Sequence, residues 1–136
     1  MAVRLLASRE HSRAELERKL SGRFDDELLN SVLDDLTTRG LLSDERFAEQ
    51  YVAMRLRKGY GPVRIAQELR ERGIDASMVG SVMEQLDADW YTLMQEAHDK
   101  KFGSSSPCDY KEATKRARFL EYRGYSSEMI RDYLLD

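Results

Sequence analysis

A six-position pattern of apolar residues and a helix cap occurs three times along the chain, and it restricts the fold more than any other feature. Phe24, Asp25, Leu28, Leu29, Val32 and Leu33 reappear as Ile74, Asp75, Met78, Val79, Val82 and Met83, then as Tyr125, Ser126, Met129, Ile130, Tyr133 and Leu134. Each copy holds a large apolar residue, a capping residue, and an apolar stripe at i, i+1, i+4 and i+5. That stripe suits one face of an α-helix and not a strand, whose faces alternate at every second residue. Leu20, Leu69 and Leu120 occupy a matching place in the helix ahead of each copy. Self-similarity at this period marks a helical repeat, with Leu29, Val79 and Ile130 as equivalent core positions.

Helix punctuation divides each repeat in three. Ser12-Arg13-Ala14-Glu15 reads as a capping box, and Asp109-Tyr110-Lys111-Glu112 as its acidic counterpart. Ser43, Asp75 and Ser126 stand where further N-caps belong. Gly59 suits a left-handed helix stop, and Pro62 the first turn of the next helix. The expected helices lie near 2–9, 12–21 and 25–39, near 44–58, 62–72 and 76–86, and near 88–102, 110–123 and 127–135. The fold class is therefore all-α, with three three-helix repeats at 1–42, 43–86 and 87–136. Units this small bury little apolar surface alone, so neighbours should support one another in an elongated or curved array.

Little here speaks for catalysis. Cys108 is the single cysteine, which excludes an intrachain disulfide and a thiol-rich zinc site and fits a reducing cytoplasm. His11 and His98 lack clustered carboxylate or thiol ligands nearby in sequence; His11 reads as part of a turn, and His98 as a core-edge residue beside Met94 and Phe102. Gly59-Tyr60-Gly61 has neither dinucleotide nor P-loop spacing and reads as a helix-to-helix turn, with Tyr60 packed back over the turn before it. No apolar run reaches the length of a membrane span. The expectation is a cytoplasmic, monomeric, non-enzymatic protein with no cofactor and no metal.

Charge carries more information. The net charge is −3 with 35% charged residues, yet it is distributed in blocks. Residues 55–72 hold Arg55, Arg57, Lys58, Arg64, Arg70 and Arg72 against Glu68 and Glu71. Residues 73–99 hold six acids and no lysine or arginine, and residues 100–123 seven bases against three acids. Two basic islands thus flank an acidic block, a pattern suited to docking on a polyanionic or mixed-charge partner.

The run Arg55-Leu-Arg-Lys-Gly-Tyr-Gly-Pro-Val-Arg-Ile-Ala-Gln-Glu-Leu-Arg-Glu-Arg-Gly-Ile74 resembles the central signature of the RecX regulatory proteins. Leu5 to Leu16 is similar to that family's opening segment, and Gly40 to Ala48 and Arg116 to Tyr125 to its other blocks. The resemblance covers essentially the whole chain, although family members often carry residues ahead of the opening helix. It implies a non-catalytic modulator of homologous recombination. Such a protein binds the RecA recombinase in the groove of its filament on single-stranded DNA and restrains strand exchange, ATP hydrolysis and co-protease activity. It also implies that Arg55, Arg57, Lys58, Tyr60, Arg64 and Arg72 are the contact candidates, with direct single-stranded DNA contact a further expectation. Lys111, Lys115, Arg116 and Arg118 form the second candidate patch.

Two other readings compete. A helix-turn-helix DNA-binding protein needs a basic recognition helix, whereas the third helices, such as 76–86, are neutral or acidic. A general helical scaffold for some other protein is the second.

Overall fold

The computed structural model describes residues 1–135. Among these, nine α-helices form and no strand does: α1 (Ala2–Ser8), α2 (Arg13–Leu20), α3 (Asp26–Thr38), α4 (Asp44–Arg57), α5 (Pro62–Glu71), α6 (Ala76–Leu86), α7 (Trp90–Phe102), α8 (Tyr110–Arg123) and α9 (Ser127–Leu135). Their ends fall within two residues of the sequence expectation because the caps are explicit. Asp25, Asp75 and Ser126 each accept the amide three residues on, at 2.8, 2.8 and 3.2 Å. Ser12 and Glu15 complete a reciprocal capping box. At α8 only half of that device is used as expected. Asp109 accepts the Glu112 amide, while the Glu112 carboxylate takes Arg116 Nε at 3.2 Å.

The repeat is equally visible in burial. Leu29, Val79 and Ile130 are 6, 5 and 7% exposed, and Leu20, Leu69 and Leu120 are 2, 0 and 0% exposed. The outer edge of the stripe differs between copies. Ile74 and Tyr125 are buried, whereas Phe24, their counterpart, is 40% exposed, as is Val32.

Packing divides the chain into two units, Met1–Tyr51 with Glu68–Gln85, and Val52–Gln67 with Leu86–Asp136. In the first, Ala2, Leu16, Leu20, Leu29, Leu33, Leu36 and Leu42 make the core, backed by Leu5 and Leu6. Ser12 Oγ donates to the Arg72 carbonyl at 2.7 Å, and Arg18 to the Glu71 carbonyl at 2.9 Å. The end of α5 is thereby fastened to α2 at both its N-cap and its last turn. In the second unit Met94, Leu120, Tyr125 and Ile130 form the core, with Trp90, Phe119 and Tyr133 against it. A corresponding fastening joins the start of α5 to the end of α8. Gly61 N–H donates to the Arg123 carbonyl at 2.7 Å and Val63 N–H to the Gly124 carbonyl at 2.9 Å.

Candidate functional site: a basic groove and its aromatic brace

The first island is shaped by the stop of α4. Gly59 takes φ +90°, a conformation that side chains with a Cβ rarely adopt, and Tyr60 N–H returns to the Arg55 carbonyl at 3.2 Å. The chain reverses, so the Tyr60 ring lies under its own preceding helical turn, with the Arg55 guanidinium 3.7 Å from the ring centroid. Pro62 opens α5, and its first turn brings Arg64 to 4.6 Å from the same ring. Arg123, from the end of α8, comes to 4.9 Å. Three guanidinium groups around one phenol are held by the ring's negative faces.

The brace extends in two directions. Arg64 also stacks on Tyr122 at 4.8 Å and donates Nη1 to the Tyr122 carbonyl at 3.0 Å. Arg123 donates Nη1 to the Lys58 carbonyl at 2.8 Å and stacks on Phe119 at 5.1 Å. Lys101 approaches the same Phe119 ring at 5.9 Å. Tyr125 closes the assembly from beneath, its hydroxyl donating to the Gly59 carbonyl at 3.1 Å. Burial pushes that phenol up to about 12, so it stays a neutral donor across the physiological range.

These contacts sort the candidates by role. Arg55, Tyr60 and Arg64 are half-buried parts of the brace, while Arg57 and Lys58 are exposed. Arg72 belongs to the other packing unit, where it stacks on Tyr51 at 4.6 Å and donates to the Glu68 carbonyl at 3.2 Å. Arg57 and Lys58 border a groove of about 730 Å³, with Lys100, Lys101, Arg123 and Glu96 along it and Leu56, Leu93, Ala97 and Phe119 as apolar lining. The two basic islands therefore meet in one concavity, five cations against one carboxylate.

The second candidate patch is corrected at one position. Lys111, Lys115 and Arg118 are exposed and line a shallow depression of about 720 Å³ beside Cys108. Arg116 is 6% exposed, because its position on α8 turns inward. Its Nη1 donates to the Ser105 carbonyl at 2.6 Å and faces His98 Nε2 at 3.3 Å, with Nε on Glu112. A guanidinium has only hydrogens to offer, so Nε2 accepts and Nδ1–H of His98 faces Asp99 Oδ1 at 2.8 Å. Arg116 holds the Gly103–Pro107 loop and is not available at the surface. Among the described residues, no cluster of three or more His, Cys, Asp or Glu side chains is placed to hold a metal ion. Nor is any helix long and apolar enough to cross a membrane.

Comparison with known proteins identifies the family of the chain. Residues 1–36 match the first three-helix domain of RecX, residues 43–83 the second and residues 87–134 the third. The chain belongs to the RecX family. It is 43% identical over 131 residues to the regulatory protein RecX of Halorhodospira halophila, covering 96% of this chain and 81% of that one. With the RecX of Pseudomonas fluorescens it shares 44% over 130 residues, covering 95% and 84%. Among solved structures, a crystal structure of RecX from Lactobacillus salivarius superposes with a TM-score of 0.78 at 21% identity, covering 98% of this chain and 89% of that chain. A second RecX crystal structure gives 0.79 at 20% identity, covering 99% and 69%. At such identity these two structures speak for the fold alone.

Three groove residues, Lys100, Lys101 and Arg123, lie outside the candidates drawn from sequence. Their signal was positional. A basic pair closes α7 as Arg57-Lys58 closes α4, and Arg123-Gly124 repeats Arg72-Gly73 at the same corner of a RecX repeat. Reading charge by repeat position, and not by island, would have selected them.

Proposed function

We propose that this chain is a non-catalytic regulator that binds the RecA recombinase and its filament on single-stranded DNA and restrains recombinase, ATPase and co-protease activity. The observation that carries this reading is that all three RecX domains match in order across the chain, together with relatives named as regulatory proteins. The geometry supports it with a surface suited to docking. Arg57 and Lys58 project from a brace whose own cations are engaged in stacking, so the exposed pair sits on a stiff platform. Stiffness matters because only the two exposed side chains, and not the turn that carries them, then lose conformational freedom on binding. A helix-turn-helix reading would need a basic recognition helix in a groove of duplex DNA, and α6 contains no lysine or arginine.

Cosedimentation with RecA filaments is the direct test. The chain should pellet with filaments assembled on single-stranded DNA and slow their ATP hydrolysis, and should remain in the supernatant with that DNA alone at physiological salt. Failure to pellet with filaments, or pelleting equally with bare DNA, would overturn the reading.

A further inference from the structure

The groove between the ends of α4 and α7 contains more than a docking charge, and its composition selects a partner. Its cations come from three helix ends: Arg57 and Lys58 at the close of α4, Lys100 and Lys101 at the close of α7, and Arg123 at the close of α8. Helix C-termini carry about half a negative charge each, which accounts for the presence of cations there but offsets only a fraction of five. The surplus faces a concavity, where low-dielectric walls concentrate field.

Two polyanions compete for such a place, and the lining distinguishes them. A single nucleic-acid strand binds by phosphate contacts and by stacking its bases on aromatic faces. Phe119, the aromatic residue lining this groove, already has Arg123 at 5.1 Å and Lys101 at 5.9 Å. Stacking a base there would displace a cation that the phosphates need. Glu96 also lies in the groove, and a strand, which carries a phosphate at every nucleotide, has no uncharged position to set against it. A short peptide avoids both conflicts. Its carboxylates can pair with the lining cations, and an apolar side chain can rest on Leu56, Leu93 and Ala97. A volume of about 730 Å³ is within the usual range of sites that enclose a small ligand, roughly 300–1,000 Å³.

We propose that this groove is a docking site for a short acidic segment of a partner protein, with carboxylates flanking one apolar anchor. The proposal rests on the reading of the first island as a docking surface and adds the chemistry of what docks. Glu96 becomes a register element. It repels a carboxylate placed beside it and so favours the apolar anchor there, leaving the acids to the cations.

Fluorescence anisotropy with the full-length chain tests this. The probe is a fluorescein-labelled peptide of aspartates and glutamates around a central leucine, compared with its asparagine and glutamine version and with labelled oligothymidylate of equal charge. The acidic peptide should bind, and its amide version should not. Lys100→Glu with Lys101→Glu should weaken binding by about tenfold or more, since both attraction and steering reverse, and the milder Lys58→Ala should weaken it in the same direction. Glu96→Gln should tighten it. Far-ultraviolet circular dichroism verifies that each variant is folded. Oligothymidylate that binds more tightly and displaces the peptide would give the groove to nucleic acid and end the proposal, as would wild-type affinity in both lysine variants. Filament cosedimentation of the same variants keeps the two readings apart. Wild-type chain that pellets with filaments but ignores the peptide leaves the regulatory function standing and removes the acidic segment.

Discussion

Gly61 and Gly124 meet backbone to backbone: a methyl group on Gly61 would stand 2.6 Å from the carbonyl carbon and oxygen of Gly124. This approach lets Gly61 and Val63 amides donate to the Arg123 and Gly124 carbonyls, two main-chain bonds that join the start of α5 to the end of α8. Gly124 is the more demanding partner, with φ +102° and space for a Cβ only 2.2 Å from Arg64 Cβ. Gly124→Ala should therefore combine backbone strain with a steric clash and cost about 2–4 kcal/mol. Gly22→Ala has comparable φ at +83° but open space around it, so it should cost only about 1 kcal/mol of strain. Urea titration separates them; equal midpoints would mean that the approach seen at Gly124 relaxes freely.

The repeated stripe makes a second prediction, graded by burial. Truncating Leu29 or Ile130 to alanine should cost about 2–4 kcal/mol, and Val79, which loses less volume, about 1–2.5 kcal/mol. Leu28 belongs to the same six-position pattern but is 50% exposed, so Leu28→Ala should cost under about 1 kcal/mol. A Leu28 variant as unstable as the Leu29 variant, measured in the same urea series, would contradict the burial assigned to α3.

The contrast between Leu28 and Leu29 also marks where sequence reading stops. Periodicity and caps are local, and Ser12, Asp25, Asp75 and Ser126 announce their helices within four residues, so element type and limits were legible. Burial along a stripe depends on which surface arrives from elsewhere in the chain, so Phe24 and Tyr125 look alike in sequence and differ in exposure. Arg116 shows the same limit for charge. Its i−4 partner Glu112 was readable, but the Ser105 carbonyl that draws it inward depends on how the Gly103–Pro107 loop folds. Tyr60 was legible as a turn residue packed backwards. That Arg123, 63 positions away in sequence, would share its ring was not.

His11 supplies a pH dependence whose sign can be worked out. It is 1% exposed, with Nδ1 at 3.1 Å from the Arg9 carbonyl and Nε2 at 3.3 Å from Lys19 Nζ, and Glu15 nearby. Desolvation by burial, then the Arg9 and Lys19 charges, lower its pKa below the ordinary 6.5, with only partial compensation from the Arg9 carbonyl and Glu15. The unfolded chain therefore binds this proton more readily than the folded one. The stabilising contribution is fully present above pH 6.5 and declines as pH falls from that value through the lowered folded pKa. Thermal midpoints measured from pH 7.5 down to 5.5 should decline in the wild type and flatten in His11→Gln. An unchanged slope in the variant would assign the decline to another group.

The charge-reversal prediction follows from the division between brace and groove. Arg57 and Lys58 are exposed at the end of α4, and surface charges of this kind contribute under about 1 kcal/mol each to stability. Arg57→Glu with Lys58→Glu should accordingly preserve the thermal midpoint while removing most of the proposed restraint on RecA ATP hydrolysis. Arg64→Glu is a different experiment. It removes a donor to the Tyr122 carbonyl and a cation stacked on Tyr60 and Tyr122, which should lower stability by about 1–3 kcal/mol and confuse docking with unfolding. A reversal set that includes Arg64 therefore cannot locate the contact surface by itself, and the exposed pair can. Wild-type inhibition should also weaken between 50 and 300 mM salt, because exposed ionic contacts are screened within about 10 Å at 0.1 M. Should the double reversal remain folded and inhibit at wild-type concentrations, with the same salt response, the first island is only a solvated face. Lys111, Lys115 and Arg118 would then be the next surface to reverse, with Arg116 left intact to hold its loop.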